Sequence, residues 1–516
     1  MSARFTLFPQ LDGAQALAAD PRAHAALSAS AGTGKTQVLT ARVLRLLLEG
    51  TRPESILCLT FTKAAAAEMA NRIGERLAAW VRLPDKLLKK DLFALGEKDD
   101  PRTRERARQL FARVLDCAGG LKIQTIHAFA QSLLAAFPAE AGITPGFQPI
   151  EGRAEQELVR RTLAELLADA EARGDGSLIS DVQCLSRRLG ETGAVEYLQA
   201  CARRHEVLAR LGGPDSIEPL LRALLNVPDG TIEEYLAGRC RDDGFDCDLL
   251  RAIAGANRSW GTSNGAKIVD VIDRWLGMDA SARAAALPEL SMIVFTGKGD
   301  LRKSSAGQLK ADSDYDRHVQ RLAGQIAELL QIQRAARLAS DMAAGLRAGK
   351  AFADAYTRAK RSAGVADFND LIEWTRALLR QPGIGDWVRY KLDREVDHVL
   401  VDEAQDTNAA QWEIIEELVA EYFSGSSETE QKRRTLFMVG DFKQAIYGFQ
   451  GTDPQRFREA REHFKRRANE LSSEQAATEF RDLSIAASFR SAQPLLDVVD
   501  AVIDTLGPER LGLTRR

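Results

Sequence analysis

Eight residues set the strongest limit on what this chain can fold into. Ala29-Ser30-Ala31-Gly32-Thr33-Gly34-Lys35-Thr36 stands between an apolar run, 25–30, and a helical pattern, 35–49, that stops at Gly50 and Pro53. Small residues let successive backbone N–H groups curl around a phosphate, and the N-terminus of the following helix adds the positive end of its dipole. A strand leading into such a loop and a helix leading out is the context a phosphate-binding loop requires. In this reading Lys35 reaches the β- and γ-phosphates of a nucleotide and the Thr36 hydroxyl ligates Mg²⁺. Ala29 holds the place of the first glycine of the pattern, a departure of one methyl group. The plain alternative is a chance Gly-Lys-Thr turn, which the flanking pattern argues against.

The rest of the chain alternates in the same manner. Apolar runs at 55–61, 121–126, 396–401 and 435–439 each lead towards an amphipathic pattern, such as 64–80 and the stretch up to Ala136, which predicts an α/β fold with a parallel sheet. Residues 84–110 read as a charge-mixed surface excursion. Residues 151–360 differ: Val159, Leu163, Leu166 and Leu167 lie at helical spacing, strand signals are sparse, and clusters near 211–215, 255–265 and 297–307 read as loops. This predicts a large, mainly helical insertion in an α/β domain. There is no fixed-period repeat.

A second chemical signal lies at the end of a strand. His398-Val399-Leu400-Val401-Asp402-Glu403 sets two carboxylates after an apolar run, at the carboxyl edge of a parallel sheet where ligands bind. Asp402 would hold the Mg²⁺, and Glu403 would orient and deprotonate a water. One carboxylate suffices for the metal, so the second points to hydrolysis as well as nucleotide binding. Taken alone, an Asp-Glu pair after a strand is a weak signal and more often a helix N-cap pair.

Composition limits the remaining classes. The formal charge of the 516 residues is −3, so any nucleic-acid contact comes from a local groove and not from bulk charge. Six scattered cysteines form no C-x-x-C pair, which gives no support to a zinc or iron–sulfur site and fits a reducing cytoplasm. No apolar run reaches the ~18 residues of a membrane span, and the first ten residues lack a signal-like core.

With both motifs in place, the chain resembles superfamily 1 helicases of the UvrD/RecB type. Asp402-Glu403-Ala404-Gln405-Asp406 resembles their motif II. Leu11 to Ala18 resembles the Q motif, in which Gln15 would read the adenine edge. Thr60-Phe61-Thr62-Lys63-Ala64-Ala65-Ala66-Ala67-Glu68-Met69 resembles motif Ia, and Thr125-Ile126-His127-Ala128-Phe129 a segment that touches the DNA strand. Val439 to Gly451 resembles motif III, and Ser488-Phe489-Arg490-Ser491 motif IV. The wording of motifs Ia and III is most like the AddA type of double-strand-break repair helicase.

The resemblance implies a RecA-like motor domain in two parts, 1–150 and 361–484, with the insertion at 151–360 and the start of a second RecA-like domain at 485–516. It implies ATP and Mg²⁺ as cofactors, Gln444 as a γ-phosphate sensor and Arg490 as a γ-phosphate contact. Phe489 would pack on adenine, or else be a core residue of a strand over 485–490. Phe61 and Phe449 would stack on bases, with Thr62, Thr125 and His127 on the DNA backbone; a satisfied histidine at a helix start is the other reading of His127. Gln450 replaces an arginine common in relatives. Asp367-Phe368-Asn369-Asp370-Leu371 reads as the return from the insertion, or simply as a capped helix start. Nothing after Arg490 resembles motifs V and VI or a nuclease, so the chain reads as the N-terminal part of a longer enzyme. The expected function is an ATP-driven DNA helicase or translocase, 3′ to 5′ by family analogy, in break repair with an AddB-like partner. The alternatives are an ATP- and single-strand-binding half-motor that does not unwind, and a nucleotide switch acting on protein partners.

Overall fold

The computed structural model describes residues 6–30, 32–423, 433–444, 453–470, 478–485 and 492–507. They form two compact units: Met1–Glu151 with Gly364–Arg516, and Gly152–Ala363.

The first unit is built on a parallel sheet. In chain order its elements are α1 (Gly13–Ala18), β1 (His24–Ala29), α2 (Lys35–Glu49), β2 (Ile56–Thr60), α3 (Lys63–Arg82), α4 (Asp85–Ala94), α5 (Pro101–Asp116), β3 (Lys122–Thr125), α6 (Ile126–Ala136) and β4 (Gln148–Pro149). After the second unit come β5 (Val365–Ala366), α7 (Phe368–Arg380), α8 (Ile384–Glu395), β6 (His398–Val401), α9 (Ala409–Val419), β7 (Thr435–Gly440), α10 (Pro454–Glu470), β8 (Phe480–Ile485) and α11 (Gln493–Leu506). The main sheet runs β3-β2-β6-β7-β1-β8, every pair parallel, while β4 and β5 pair apart from it.

Alternation along the strands divides the core between two faces. Ala25, Leu27, Ile56, Cys58, Leu400, Phe437 and Val439 meet Val38, Leu39 and Leu46 of α2 and Ile73 and Trp80 of α3. Leu57, Leu59, Val399, Val401, Leu436 and Met438 meet Phe129 and Leu133 of α6, Leu371 of α7, Ile414 and Ile415 of α9 and Phe457 of α10. Central strands covered on both faces are apolar throughout, which is why they read as unbroken runs.

One expectation fails here. Residues 84–110 are not a surface excursion: α4, its C-cap Leu95 and α5 bury Leu88, Leu92, Leu95, Ala107 and Leu110 in the same core as α2 and α3. These few apolar residues are spaced for one helical face amid dense charge. β8 spans Phe480–Ile485; of the strand expected over 485–490, all but Ile485 lies outside the described residues.

The second unit is helical. Its longest element, Tyr315–Ala363, packs along Gly176–Ala202, which kinks at Gly190 (φ 72°). A core around Leu250, Ile253, Trp275, Leu287, Leu322 and Ile326 joins helices of this unit. The loop expected at 255–265 shrinks to Gly261 and Thr262, because Thr262 caps the helix Ser263–Leu276 directly after Cys247–Trp260 ends. No helix among the described residues is long and apolar enough to cross a membrane.

Candidate functional site

β1 ends at Ala29, and the chain turns through Ser30 to Gly34 before α2 opens on Lys35. Gly32 (φ 75°) and Gly34 (φ 88°) adopt the left-handed conformation that a side chain would strain. The Ser30 carbonyl accepts from the Thr33 N–H at 3.3 Å and from the Thr33 hydroxyl at 2.7 Å, closing the loop on itself. The N-cap, Gly34, offers no side chain to α2, so the first-turn N–H groups are left for another acceptor, the arrangement that suits a phosphate. Gln15 of α1 is buried and donates from Nε2 to the Thr33 carbonyl at 3.0 Å. Gln15 and the glycine-containing loop before α2 therefore touch directly. Thr36 lies in the first turn of α2; Ala31 lies outside the described residues.

The acidic pair comes to the same edge. The Asp402 N–H donates to the Leu59 carbonyl at 2.8 Å, extending the β2–β6 ladder by one residue. Burial, then the neighbouring Glu403, raises the Asp402 carboxyl to about 6, so it is still mostly ionised at neutral pH. The same two causes bring Asp406 to about 6. Glu403 is left-handed (φ 49°, ψ 46°), a conformation costing a non-glycine residue about 1–3 kcal/mol.

Glu403 Oε2 receives the Lys35 ammonium at 3.1 Å. Lys35 Nζ also donates to Gln444 Oε1 at 3.0 Å. Gln405 Nε2 reaches the same Glu403 oxygen at 2.7 Å, and Gln405 Oε1 accepts from the Asp441 N–H at 2.8 Å. One network thus joins the ends of β1, β6 and β7. Lys35, Glu403 and Gln444 stand out in the sequence as site residues. The buried Gln405, which ties them to the backbone after β7, does not.

A hydroxyl (Thr36) and a carboxylate (Asp402) are the donor types a hard cation takes. Among the described residues no group of three or more His, Cys, Asp or Glu side chains is assembled for a metal. A cation here would fill its remaining positions with water and substrate oxygens, as Mg²⁺ commonly does beside phosphates.

Next to this network is the candidate nucleic-acid edge. Thr60 pairs in register with Thr125, which brings the segments after β2 and β3 side by side. Thr62 caps α3 by accepting from the Ala65 N–H at 3.1 Å, and Thr125 caps α6 by accepting from the Ala128 N–H at 3.1 Å. A hydroxyl that accepts in this way keeps its own hydrogen to donate. Phe61 is half-buried. Burial lowers the His127 pKa, so near pH 7 the ring is neutral and acts through hydrogen bonds and not as a cation. It meets Phe368 edge-on, centroids 5.1 Å apart. Phe368 is 42% exposed and follows Asp367, whose capping box with Asp370 is formed. The cap is therefore present, and it also holds an aromatic face beside His127. Phe449, Phe489 and Arg490 lie outside the described residues.

Residues 12–465 match the UvrD/REP helicase N-terminal domain. The chain belongs to this family. Among curated relatives is an ATP-dependent helicase/nuclease protein of Levilactobacillus brevis, 25% identical over 99% of this chain and 39% of that one. The protein of the same name from Carboxydothermus hydrogenoformans is 26% identical, over 94% and 39%, and that from Latilactobacillus sakei 26%, over 98% and 56%. The chain thus spans roughly two fifths to just over half the length of these relatives.

One position in this UvrD/REP-type chain tests the network without touching a charge. A Cβ on Gly440 would lie 2.7 Å from Gln405 Oε1 and 2.9 Å from Phe457, a ring already stacked on Phe442 and Trp412. Gly440→Ala is expected to lower stability by about 1–3 kcal/mol through overpacking and to reduce ATP turnover by displacing Gln405. Thermal unfolding and phosphate release measure the two effects; parent values in both would show that Gln405 can move freely.

Proposed function

We propose that this chain is the nucleotide-driven part of a DNA translocase, a DNA-dependent ATPase that tracks single-stranded DNA, 3′ to 5′, in the repair and recombination of broken ends. The observation that carries it is the meeting of Lys35, Glu403 and Gln444 from three distant segments at one sheet edge, beside Thr62, Thr125 and His127.

Lys35 and the first-turn amides of α2 hold the β- and γ-phosphates of ATP. Phosphate oxygens compete with Glu403 and Gln444 for the Lys35 ammonium, so substrate binding releases the Glu403 carboxylate. Glu403 then orients a water and takes its proton as the water oxygen bonds to the γ-phosphorus and the bond to the ADP oxygen breaks. Thr36 and Asp402 would hold Mg²⁺, which would supply charge neutralisation on the phosphates. Gln444 donates to the γ-phosphate and loses that contact when phosphate leaves, and Arg490 adds a second contact. Gln15 reads the adenine edge and Phe489 packs on its face. The track is made by Phe61, Phe368 and Phe449 as stacking faces, and by Thr62, Thr125 and His127 on the DNA backbone. The relatives' name makes each of them one component of a helicase/nuclease. By that analogy an AddB-like protein is the proposed partner, and a second RecA-like unit and a nuclease belong to the same proposal.

The test is binding of a labelled oligonucleotide, with ATP turnover read in its absence and presence. Phe61→Ala and Phe368→Ala are each expected to weaken binding by about 1–3 kcal/mol, the value of one base–aromatic stack. Binding without stimulated turnover would favour the half-motor reading. A chain whose turnover ignores DNA and that binds none would be a nucleotide switch instead.

A further inference from the structure

α1, which carries Gln15, has only six residues, and its N-cap Asp12 makes no side-chain capping bond. A helix this short does not hold itself in place; its position comes from outside contacts. Those contacts include three arginines at its carbonyl end. Arg42, fully buried on α2, donates from Nη1 to the Ala18 and Asp20 carbonyls at 2.8 and 2.7 Å, and from Nη2 to the Ala23 carbonyl. Arg481 on β8 donates to the Leu17 carbonyl at 3.2 Å and pairs with Asp20 at 3.1 Å. Arg45 reaches the Ala16 carbonyl at 3.5 Å and pairs with Glu97 at 2.9 Å.

We propose that Arg42 and Arg481 are positioning residues that set the base-reading geometry of Gln15, by fixing the spacing between α1 and the phosphate loop. This rests on the reading of Gln15 as the adenine contact. Lys35 and Arg42 stand on one helix, about 10 Å apart along its axis at 1.5 Å per residue. The phosphate contact and the grip on α1 are therefore parts of one rigid rod. Arg481 adds a second hold from β8, the strand that leads towards Phe489 and Arg490.

Packing alone does not call for a guanidinium at residue 42. Its bonded partners are carbonyls at the negative end of α1 and just beyond it, and the face of Phe437 lies 5.1 Å from its central carbon. An aliphatic side chain would fill the space with no desolvation cost, but it would leave the Ala18, Asp20 and Ala23 carbonyls unheld. Burial lowers the Arg42 pKa to about 9, so the group remains charged at neutral pH. Lysine keeps the charge but not the fork that reaches three carbonyls at once.

The experiment is calorimetric titration of the full chain and of Gln15→Ala, Arg42→Lys and Arg481→Met with ATP, GTP and inorganic tripolyphosphate. Arg42→Lys and Arg481→Met are expected to lose about tenfold of the preference for ATP over GTP, the scale of one oriented hydrogen bond, with tripolyphosphate affinity unchanged. Arg481→Met should add nothing further in the Gln15→Ala background. If Gln15→Ala loses the preference while both arginine variants keep it, the positioning role is overturned. An equal loss for tripolyphosphate overturns it too, since that marks general damage to the loop. If Gln15→Ala itself keeps the preference, the base-reading role fails and the inference falls with it, an outcome distinguishable from the others. Should Arg42→Lys not fold, Arg481→Met, on an edge strand, decides alone.

Discussion

Lys35→Ala is expected to lower ATP turnover by about 10²–10³-fold or more, the scale of removing one preorganised donor from a transition state, and to leave the fold intact. The two effects separate because Lys35 contributes little to stability. Its ion pair with Glu403 is partly exposed, the side chains at 11% and 33%, and after solvent screening such a pair contributes at most about 1 kcal/mol. Alanine at the start of α2 recovers a few tenths through helix propensity, on the order of 0.3 kcal/mol. The cost to chemistry is larger because the ammonium stands where the ends of β1, β6 and β7 meet, bonded to both Glu403 and Gln444. Phosphate release with and without single-stranded DNA measures the loss, and circular dichroism through thermal unfolding checks the fold. DNA-stimulated turnover at the parent level would remove Lys35, and the loop it belongs to, from the reaction.

The sheet is legible in the sequence wherever a strand is covered on both faces. α2 falls on 35–49 as its pattern predicts, and β1, β2, β3, β6 and β7 lie within two residues of the apolar runs that announce them. β8 is not announced by such a run because its pattern is of another kind. Among the described residues it pairs only with β1, and it alternates, with Arg481 and Asp482 near its centre, so it forms no apolar run. In α4 and α5 the obstacle is the opposite one: few apolar residues, correctly spaced, are outweighed by the charge around them. The local motifs of the site are legible because consecutive residues carry them. The roles of Gln405 and Phe368 are not, since what gives each its place is a partner distant in sequence: the Asp441 N–H for one and the His127 ring for the other. In the helical unit the spacing of apolar residues discloses helices but nothing chemical.

Glu403→Gln is expected to lower turnover by about 10²–10⁴-fold, the range for a positioned general base, while ATP is still bound. The amide has nearly the size of the carboxylate and the same tolerance for the left-handed backbone at 403, so the local strain does not change. An amide oxygen can still accept from Lys35 or Gln405, but it cannot take a proton from water at neutral pH. The metal contact should not suffer. The charge of Glu403 is one of the causes holding the Asp402 carboxyl up near 6, and removing that charge lets Asp402 ionise more fully. Lys35, relieved of its carboxylate partner, is more available to phosphate. Binding and turnover therefore move in opposite senses: ATP affinity equal to or above the parent, hydrolysis nearly absent. Titration with ATP and single-turnover hydrolysis separate the two. Parent-rate hydrolysis in this variant would mean that water is activated elsewhere. Loss of ATP binding would instead make Glu403 part of the hold on Lys35 and not the base.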